Sequence, residues 1–305
     1  MPAVSIIMNV FNGAATLRAA LQSALAQTFA DWELIAWDDC STDNSAAIIA
    51  EFTDPRVHYF LAPQQTPLGQ ARDSAIHHAQ GEWLAFLDQD DLWLPRKLEL
   101  QLALAASPDV GLVYGRTICF SSGGGRHDYD PFHEFGRLPS GDITAELLAK
   151  GCFVAMSSAL LRRSAVLETG GIPAHIHIAP DYFLYLAVCN KYSARAVQDV
   201  VCRYRSHAES MTSVYRRESL AETLQLLDDR HEHLSPDAFV RRRAHLSTTL
   251  AVEELRHRNS FAQGVRRLVK DGSLLWLAGR PLVHLWRIIR RRLRKPYWMK
   301  SNEAR

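Results

Sequence analysis

Two hydrophobic periods alternate along this chain. Val4–Val10, Trp32–Trp37, Val57–Leu61, Trp83–Leu87 and Val110–Tyr114 are short runs dominated by aliphatic and aromatic residues. Runs of that length read as strands, and near-continuous apolarity marks strands covered on both faces. Between them, residues 14–27 carry Leu17, Leu21 and Leu25 at helical spacing, and 46–52, 67–81 and 96–102 read as further helices. Thr66-Pro67 is a good helix start, a cap followed by proline at the first position. This alternation predicts right-handed crossovers and an α/β fold with a mainly parallel central sheet.

After Tyr114 the rhythm breaks. Ser121-Ser-Gly-Gly-Gly125 and the polar residues up to 141 read as a loop over a site. Residues 142–150 are a short helix and Val154–Leu161 is another apolar segment. Gly170-Gly171-Ile-Pro173 is a turn, and Asp181–Val188 opens a helix with its carboxylate where the macrodipole favours one. Val197–Tyr204 is the last strand, and from about 216 the chain reads as helices alone.

Composition narrows the class. The 305 residues are 47% hydrophobic and 22% charged, which fits a folded globular protein with a sizeable core. Five scattered cysteines without a Cys-x-x-Cys pair predict free thiols in a reducing compartment, so a cytoplasmic location is expected. The N-terminal Met1–Met8 lacks a basic flank and reads as a strand rather than a signal peptide. No apolar stretch reaches spanning length.

The net charge of +2 hides an asymmetry. Residues 1–215 hold 15 Lys and Arg against 23 Asp and Glu, a balance of −8, and residues 216–305 hold 20 against 10, a balance of +10. An acidic body implies cation chemistry, and a basic tail implies an anionic surface. Nucleic acid is not expected as a partner, because the acidic body would oppose it.

The candidate chemistry lies at strand ends. Trp83–Leu87 runs into Asp88-Gln-Asp90-Asp91, and Trp32–Trp37 runs into Asp38-Asp39 with Asp43 close behind. Open α/β sheets bind ligands at the carboxyl ends of their strands. Asp88 and Asp90, two apart, can aim hard oxygen ligands at one divalent cation whose shell substrate phosphates complete. The plain alternative is helix capping, for which aspartate is favoured. No Gly-x-Gly-x-x-Gly follows the first strand and no Gly-x-x-x-x-Gly-Lys occurs, so a backbone cradle for phosphate is missing. Carboxylates beside a diphosphate need a neutralising cation. These residues point to a nucleoside-diphosphate site bridged by metal.

At this point the chain resembles the family 2 glycosyltransferases and their GT-A fold. The resemblance covers about residues 3–210. It is carried by Val4–Asn12, Asp38-Asp-Cys-Ser-Thr-Asp43, Gly69-Gln-Ala-Arg-Asp73, Phe86-Leu-Asp-Gln-Asp-Asp-Leu-Trp-Leu-Pro95 and Tyr204-Arg-Ser-His207, in that order. It implies a glycosyltransferase domain over 1–215, with a nucleotide-binding half about 1–115 and an acceptor half about 116–215. A basic helical region over 216–305 follows.

The resemblance also assigns roles. Val10, Phe11 and Asn12 would flank the nucleobase, Asp39 would contact a uracil-type N–H, and Arg72 would lie near the base or the phosphates. Asp88 would hold the ribose or a metal-bound water. Asp90 would ligate Mg²⁺ or Mn²⁺, with His207 near the metal or the diphosphate. Asp181 would be the base of an inverting transfer. Ala179-Pro180 stands where the family often has a Glu before that Asp, Cys40 replaces a common Gly, and Trp37 a common aliphatic. No Gln-x-x-Arg-Trp occurs, so a non-processive enzyme is expected.

The expected activity is metal-dependent transfer of one sugar from a UDP-linked donor to a hydroxyl on a glycan or lipid-linked acceptor, in surface-polysaccharide or glycoconjugate biosynthesis. A catalytically silent nucleotide-sugar or glycan-binding module that scaffolds a membrane assembly is the alternative. A nucleotidyltransferase is disfavoured by the missing Gly-rich, basic N-terminal loop. Plain structural roles stand beside these: Arg72 as a surface helix residue, His207 as a strand-end histidine, and Trp32, Trp37, Trp83 and Trp93 as core. His175 and His177 lack further ligands at zinc spacing. In the tail, Leu282, Leu285, Trp286, Ile289 and Leu293 share one helical face, with arginines largely elsewhere. That pattern predicts peripheral contact with the inner face of the cytoplasmic membrane, or else packing on the chain's own domain or a partner.

Overall fold

The computed structural model describes residues 1–121, 128–131, 136–207, 214–256, 260, 263–264 and 266–267. The chain divides into two compact units, the first ending at Val214. The first unit holds one eight-stranded sheet. Its nucleus is β1 (Val4–Val10), β2 (Trp32–Asp38), β3 (Val57–Leu61) and β4 (Trp83–Phe86), all parallel and ordered β3-β2-β1-β4. The crossover helices are α1 (Leu17–Leu25), α2 (Ser45–Ala50) and α3 (Leu68–His78).

Every residue of β2 and β4 is buried, as continuous apolar runs require. Val4, Ile6, Met8, Leu34 and Ala85 have no exposed surface and pack with Leu17, Leu21 and Trp32. Each large aliphatic side chain so buried contributes about 1.5–3 kcal/mol.

The other half of the sheet is mixed. Beyond β4 lie β7 (Leu160–Arg162), β6 (Val110–Ser121), β8 (Ser193–Ser206) and, at the edge, β5 (Leu92–Trp93). β7 is antiparallel to β4 and β6, β8 is parallel to β6, and β5 is antiparallel to β8. Helices α4 (Lys97–Leu102), α5 (Thr144–Lys150), α6 (Arg163–Glu168) and α7 (Pro180–Cys189) complete the unit.

The structure adds detail at three places. β6 continues to Ser121 because β8 pairs with it as far as Ser121 opposite Ser206. Of the expected loop over 121–141, Ser121 is strand, and Tyr129 pairs with Cys119. The apolar run 154–161 is divided: Ser158 turns its hydroxyl onto the Ala155 carbonyl at 2.8 Å, a tight turn forms over Met156–Ser158, and only β7 is strand. The two-residue β5 is a strand where a loop into a helix was expected.

In the second unit, α8 (Arg216–Asp228) and α9 (Pro236–Arg256) run antiparallel. Arg216 meets Glu253 at 2.9 Å and Asp228 meets Arg243 at 2.8 Å, over a seam of Leu224, Leu227, Leu246 and Leu250. The basic stretch at 281–295 lies outside the described residues. No helix among the described residues is long and apolar enough to cross a membrane.

Candidate active site

The register of β2, β1 and β4 brings their carboxyl ends to one edge. Val10 lies opposite Asp38, and Ile7 lies opposite Phe86, the residue that leads into Leu87-Asp88. The adjacent carboxylates after β2 then diverge. Asp38 is buried and receives the Ser41 N–H at 2.7 Å and the Tyr59 hydroxyl at 2.8 Å, so it organises its own loop. Asp43 acts similarly, accepting from Ala14 N at 2.9 Å and Ser45 N at 2.9 Å, although Asn44, not Asp43, is the N-cap of the next helix. Asp39 donates its N–H to the Val10 carbonyl at 2.8 Å. Its oxygens each lie 3.1 Å from the Thr66 N–H, and Oδ1 also receives the Thr66 hydroxyl at 3.2 Å. One lone pair stays open on Oδ2. Burial pushes this carboxyl above the ordinary aspartate range.

The candidate nucleobase residues present different faces. Val10 has no exposed side-chain surface and belongs to the core, so it can offer only backbone. Phe11 is 41% exposed. Asn12 holds the left-handed conformation (φ 49°), and its side-chain Oδ1 accepts from Thr42 N at 2.8 Å.

At the end of β4 the Asp88 N–H is held by Ser157 Oγ at 3.0 Å, and the Asp88 carboxylate is paired with Arg72 at 2.6 Å. Arg72 is a buried residue of α3, not a surface one. Its charge also stabilises the Asp181 carboxylate in the first turn of α7. Asp181 is half-buried, with Oδ1 on its neighbour's N–H (Tyr182, 2.8 Å) and Oδ2 3.9 Å from the Cys152 thiol. Cys152 is open to solvent, and Asp181 beside it is partly so. Burial pushes Asp181 above the ordinary range, Arg72 pulls it partly back, and Asp88 repels its charge.

α3 also positions the chain ahead of α7. Asp73 Oδ1 accepts the Ile172 N–H at 2.9 Å. At Gly171 (φ +79°), a Cβ would lie 2.4 Å from that same oxygen. Residues 72 and 73 therefore hold Asp88 with one side chain and the turn before α7 with the next.

Asp90 Oδ2 lies 2.8 Å from His207 Nε2, just past the end of β8. Burial and then Asp88 push the Asp90 carboxyl up. Asp91 has no exposed surface, and its Oδ1 receives the Arg205 N–H at 2.8 Å while Arg205 Nε donates to the Asp90 carbonyl at 2.7 Å. These contacts dock β8 on the aspartate loop and bring His207 to Asp90. Among the described residues no cluster of three or more His, Cys, Asp or Glu is arranged to hold an ion. The pair Asp90–His207 nonetheless suits a magnesium or manganese ion that takes one or two protein ligands and completes its shell with phosphate and water. His175 and His177 are exposed.

Sequence reasoning missed the parts played by Asp91, Ser157, Asp73 and Cys152. Asp91 and Asp73 had a signal, as members of the aspartate cluster and of the Gly69–Asp73 motif. What was not legible is their partners far along the chain, Arg205 and Ile172.

Residues 5–170 match the family model described as Glycosyl transferase family 2. The chain is 31% identical, over 216 residues, to the UDP-Glc:alpha-D-GlcNAc-diphosphoundecaprenol beta-1,3-glucosyltransferase WfgD of Escherichia coli, covering 69% of this chain and 79% of that one. Its fold is similar to that of S. aureus TarS 1-349 in complex with UDP (TM-score 0.59, 16% identity, 91% of this chain and 92% of that one). It is similar also to the mannosyltransferase PcManGT of Pyrobaculum calidifontis in complex with GDP-Man and Mn²⁺ (TM-score 0.61, 19% identity, 95% and 82%). Fold and site define a glycosyltransferase of the GT-A type. The chain belongs to glycosyltransferase family 2.

Proposed function

We propose that this enzyme is a metal-dependent, inverting, non-processive transferase that moves one sugar from a UDP-linked donor to a hydroxyl of a lipid-linked glycan, in surface-polysaccharide or glycoconjugate biosynthesis. The observation that carries the reading is Arg72, a buried cation paired with Asp88 on the donor side and facing Asp181 on the other. WfgD carries a UDP-sugar donor and a diphosphoundecaprenol-linked acceptor in its name, which supports both substrate classes. PcManGT was solved with Mn²⁺, which supports the metal.

The open lone pair of Asp39 accepts a uracil N–H. Asp88, held by Arg72 and Ser157, faces the ribose. Asp90 and His207 would hold the Mg²⁺ or Mn²⁺ ion, which when bound offsets the charge that develops on the departing diphosphate. Asp181 takes the proton of the acceptor hydroxyl, and its raised pKa brings its basicity closer to that task. The basic region over 216–305 would keep the enzyme on the anionic inner face of the cytoplasmic membrane, where a lipid-linked acceptor is presented.

Asp181→Asn tests the reading. It should bind UDP as the wild type does and lose about 10²–10⁴-fold in transfer. Unchanged transfer would assign the base elsewhere.

A further inference from the structure

Gln89, between Asp88 and Asp90, pairs with the backbone of Phe11. Gln89 Oε1 accepts the Phe11 N–H at 3.0 Å, and Gln89 Nε2 donates to the Phe11 carbonyl at 3.0 Å. A primary amide donates and accepts in one plane, so this side chain pairs with the Phe11 backbone as a neighbouring peptide would. Gly13 completes the fit. Its backbone is not left-handed, but a Cβ there would lie 2.1 Å from Gln89 Oε1 and 2.5 Å from Gln89 Cδ. The glycine is thus required by the amide and not by the turn.

The same short loop is tied on its other side. Asn12 N donates to Ser41 Oγ at 3.0 Å, Gly13 N to Ser45 Oγ at 2.9 Å, and Ala14 N to Asp43 Oδ2 at 2.9 Å. Residues 11–14 therefore bridge the loop after β2, which carries Asp39, and the loop after β4, which carries Asp88 and Asp90. Gln89 supplies the second half of that bridge.

We infer that Gln89 is a positioning residue that locks the nucleobase end of the donor site to its diphosphate end, with Gly13 as its obligatory partner. The inference rests on the donor-site reading above and deepens it. It predicts that Gln89 governs UDP affinity without touching the reacting atoms. Ionised glutamate would keep the acceptor half of the pairing but set a carboxylate oxygen against the Phe11 carbonyl.

The test uses the whole chain as wild type, Gly13→Ala, Gln89→Ala, the double variant and Gln89→Glu. Two readouts are taken: amide exchange at Phe11 without ligand, and calorimetric UDP binding in the presence of MnCl₂. Gln89→Ala should deprotect Phe11 and weaken UDP about tenfold. Gly13→Ala should do much the same. The double variant should be no worse than Gln89→Ala, because the atoms that a Cβ would strike are gone. Gln89→Glu should be impaired at neutral pH, because the carboxylate has no donor for the Phe11 carbonyl. Unchanged Phe11 exchange in Gln89→Ala, fully additive penalties, or a Gln89→Glu variant that behaves as the wild type would each overturn the inference. If the wild type itself bound no UDP, the donor-site reading would fail, and Phe11 exchange would still decide the clamp.

Discussion

Arg72 and Asp88 meet at 2.6 Å although they come from different elements, the middle of α3 and the end of β4. The guanidinium side is 6% exposed and the carboxylate side 33%. Removing one partner of a buried pair leaves the other uncompensated. Here the survivor is partly hydrated, and a second carboxylate, Asp181, also loses its counter-charge. Arg72→Met should therefore cost about 2 kcal/mol of stability and weaken UDP binding at least about tenfold. Urea unfolding and UDP titration check the two effects. A variant that matched the wild type in both would remove Arg72 from the account.

As the proposed base, Asp181 sets the expected pH dependence of transfer. A base works only when ionised, so turnover is lost as pH falls through its value in the folded enzyme. Burial raises that value and Arg72 lowers it. The acid limb of kcat should thus lie above the ordinary aspartate range near ~3.9. In Arg72→Gln it should move to higher pH, with what turnover remains. A limb that stays put in the variant would show that the titrating group does not face Arg72.

How much of this was legible beforehand differs by element. Trp83–Leu87 announced a doubly covered strand, and the carboxylates after it marked the ligand edge, because an apolar run ending in aspartates has few other uses. Thr66-Pro67 announced α3, and with it Arg72. The division of labour between Asp38 and Asp39 was not legible. The two are identical in kind, and only the position of Tyr59 and Thr66, brought back by β3 and the loop after it, decides which carboxylate organises the loop and which keeps an open lone pair. The docking of β8 was hidden for a related reason. Asp91 and Arg205 are 114 residues apart, and no local period records their bond.

Lys97 provides a prediction about stability alone. It starts α4 with no exposed surface, its Nζ 2.6 Å from Gln101 Oε1 and 4.1 Å from the centre of the Trp93 ring. Burial pushes its ammonium down to about 7. In the unfolded chain it titrates near ~10.4. Between these values the unfolded state binds the extra proton, so stability rises with pH, and below about 7 the full cost of the buried charge is present. From pH 7 to pH 9 the wild type should gain about 2 kcal/mol relative to Lys97→Met. Comparing the two proteins by denaturant unfolding at both pH values cancels the other titrating groups. A difference that did not change with pH would contradict the assignment.

Gly171 offers a separate handle on the acceptor side. Alanine there would face both a left-handed backbone (φ +79°) and the Asp73 carboxylate, 2.4 Å from its Cβ. Gly171→Ala should cost about 1–3 kcal/mol. Its effect should fall on turnover more than on UDP affinity, because the turn leads into α7 and Asp181. Steady-state kinetics beside a UDP titration separate these, and an equal loss in both would place the turn on the donor side.

The proposed role of Asp90, with His207, is to hold the divalent ion that fastens the donor diphosphate. Its most direct measurement is the calorimetric affinity for UDP with and without MnCl₂, in the wild type and in Asp90→Ala. The account predicts markedly tighter binding with MnCl₂ in the wild type and no such gain in Asp90→Ala. An equal gain in both proteins, or none in the wild type, would contradict it.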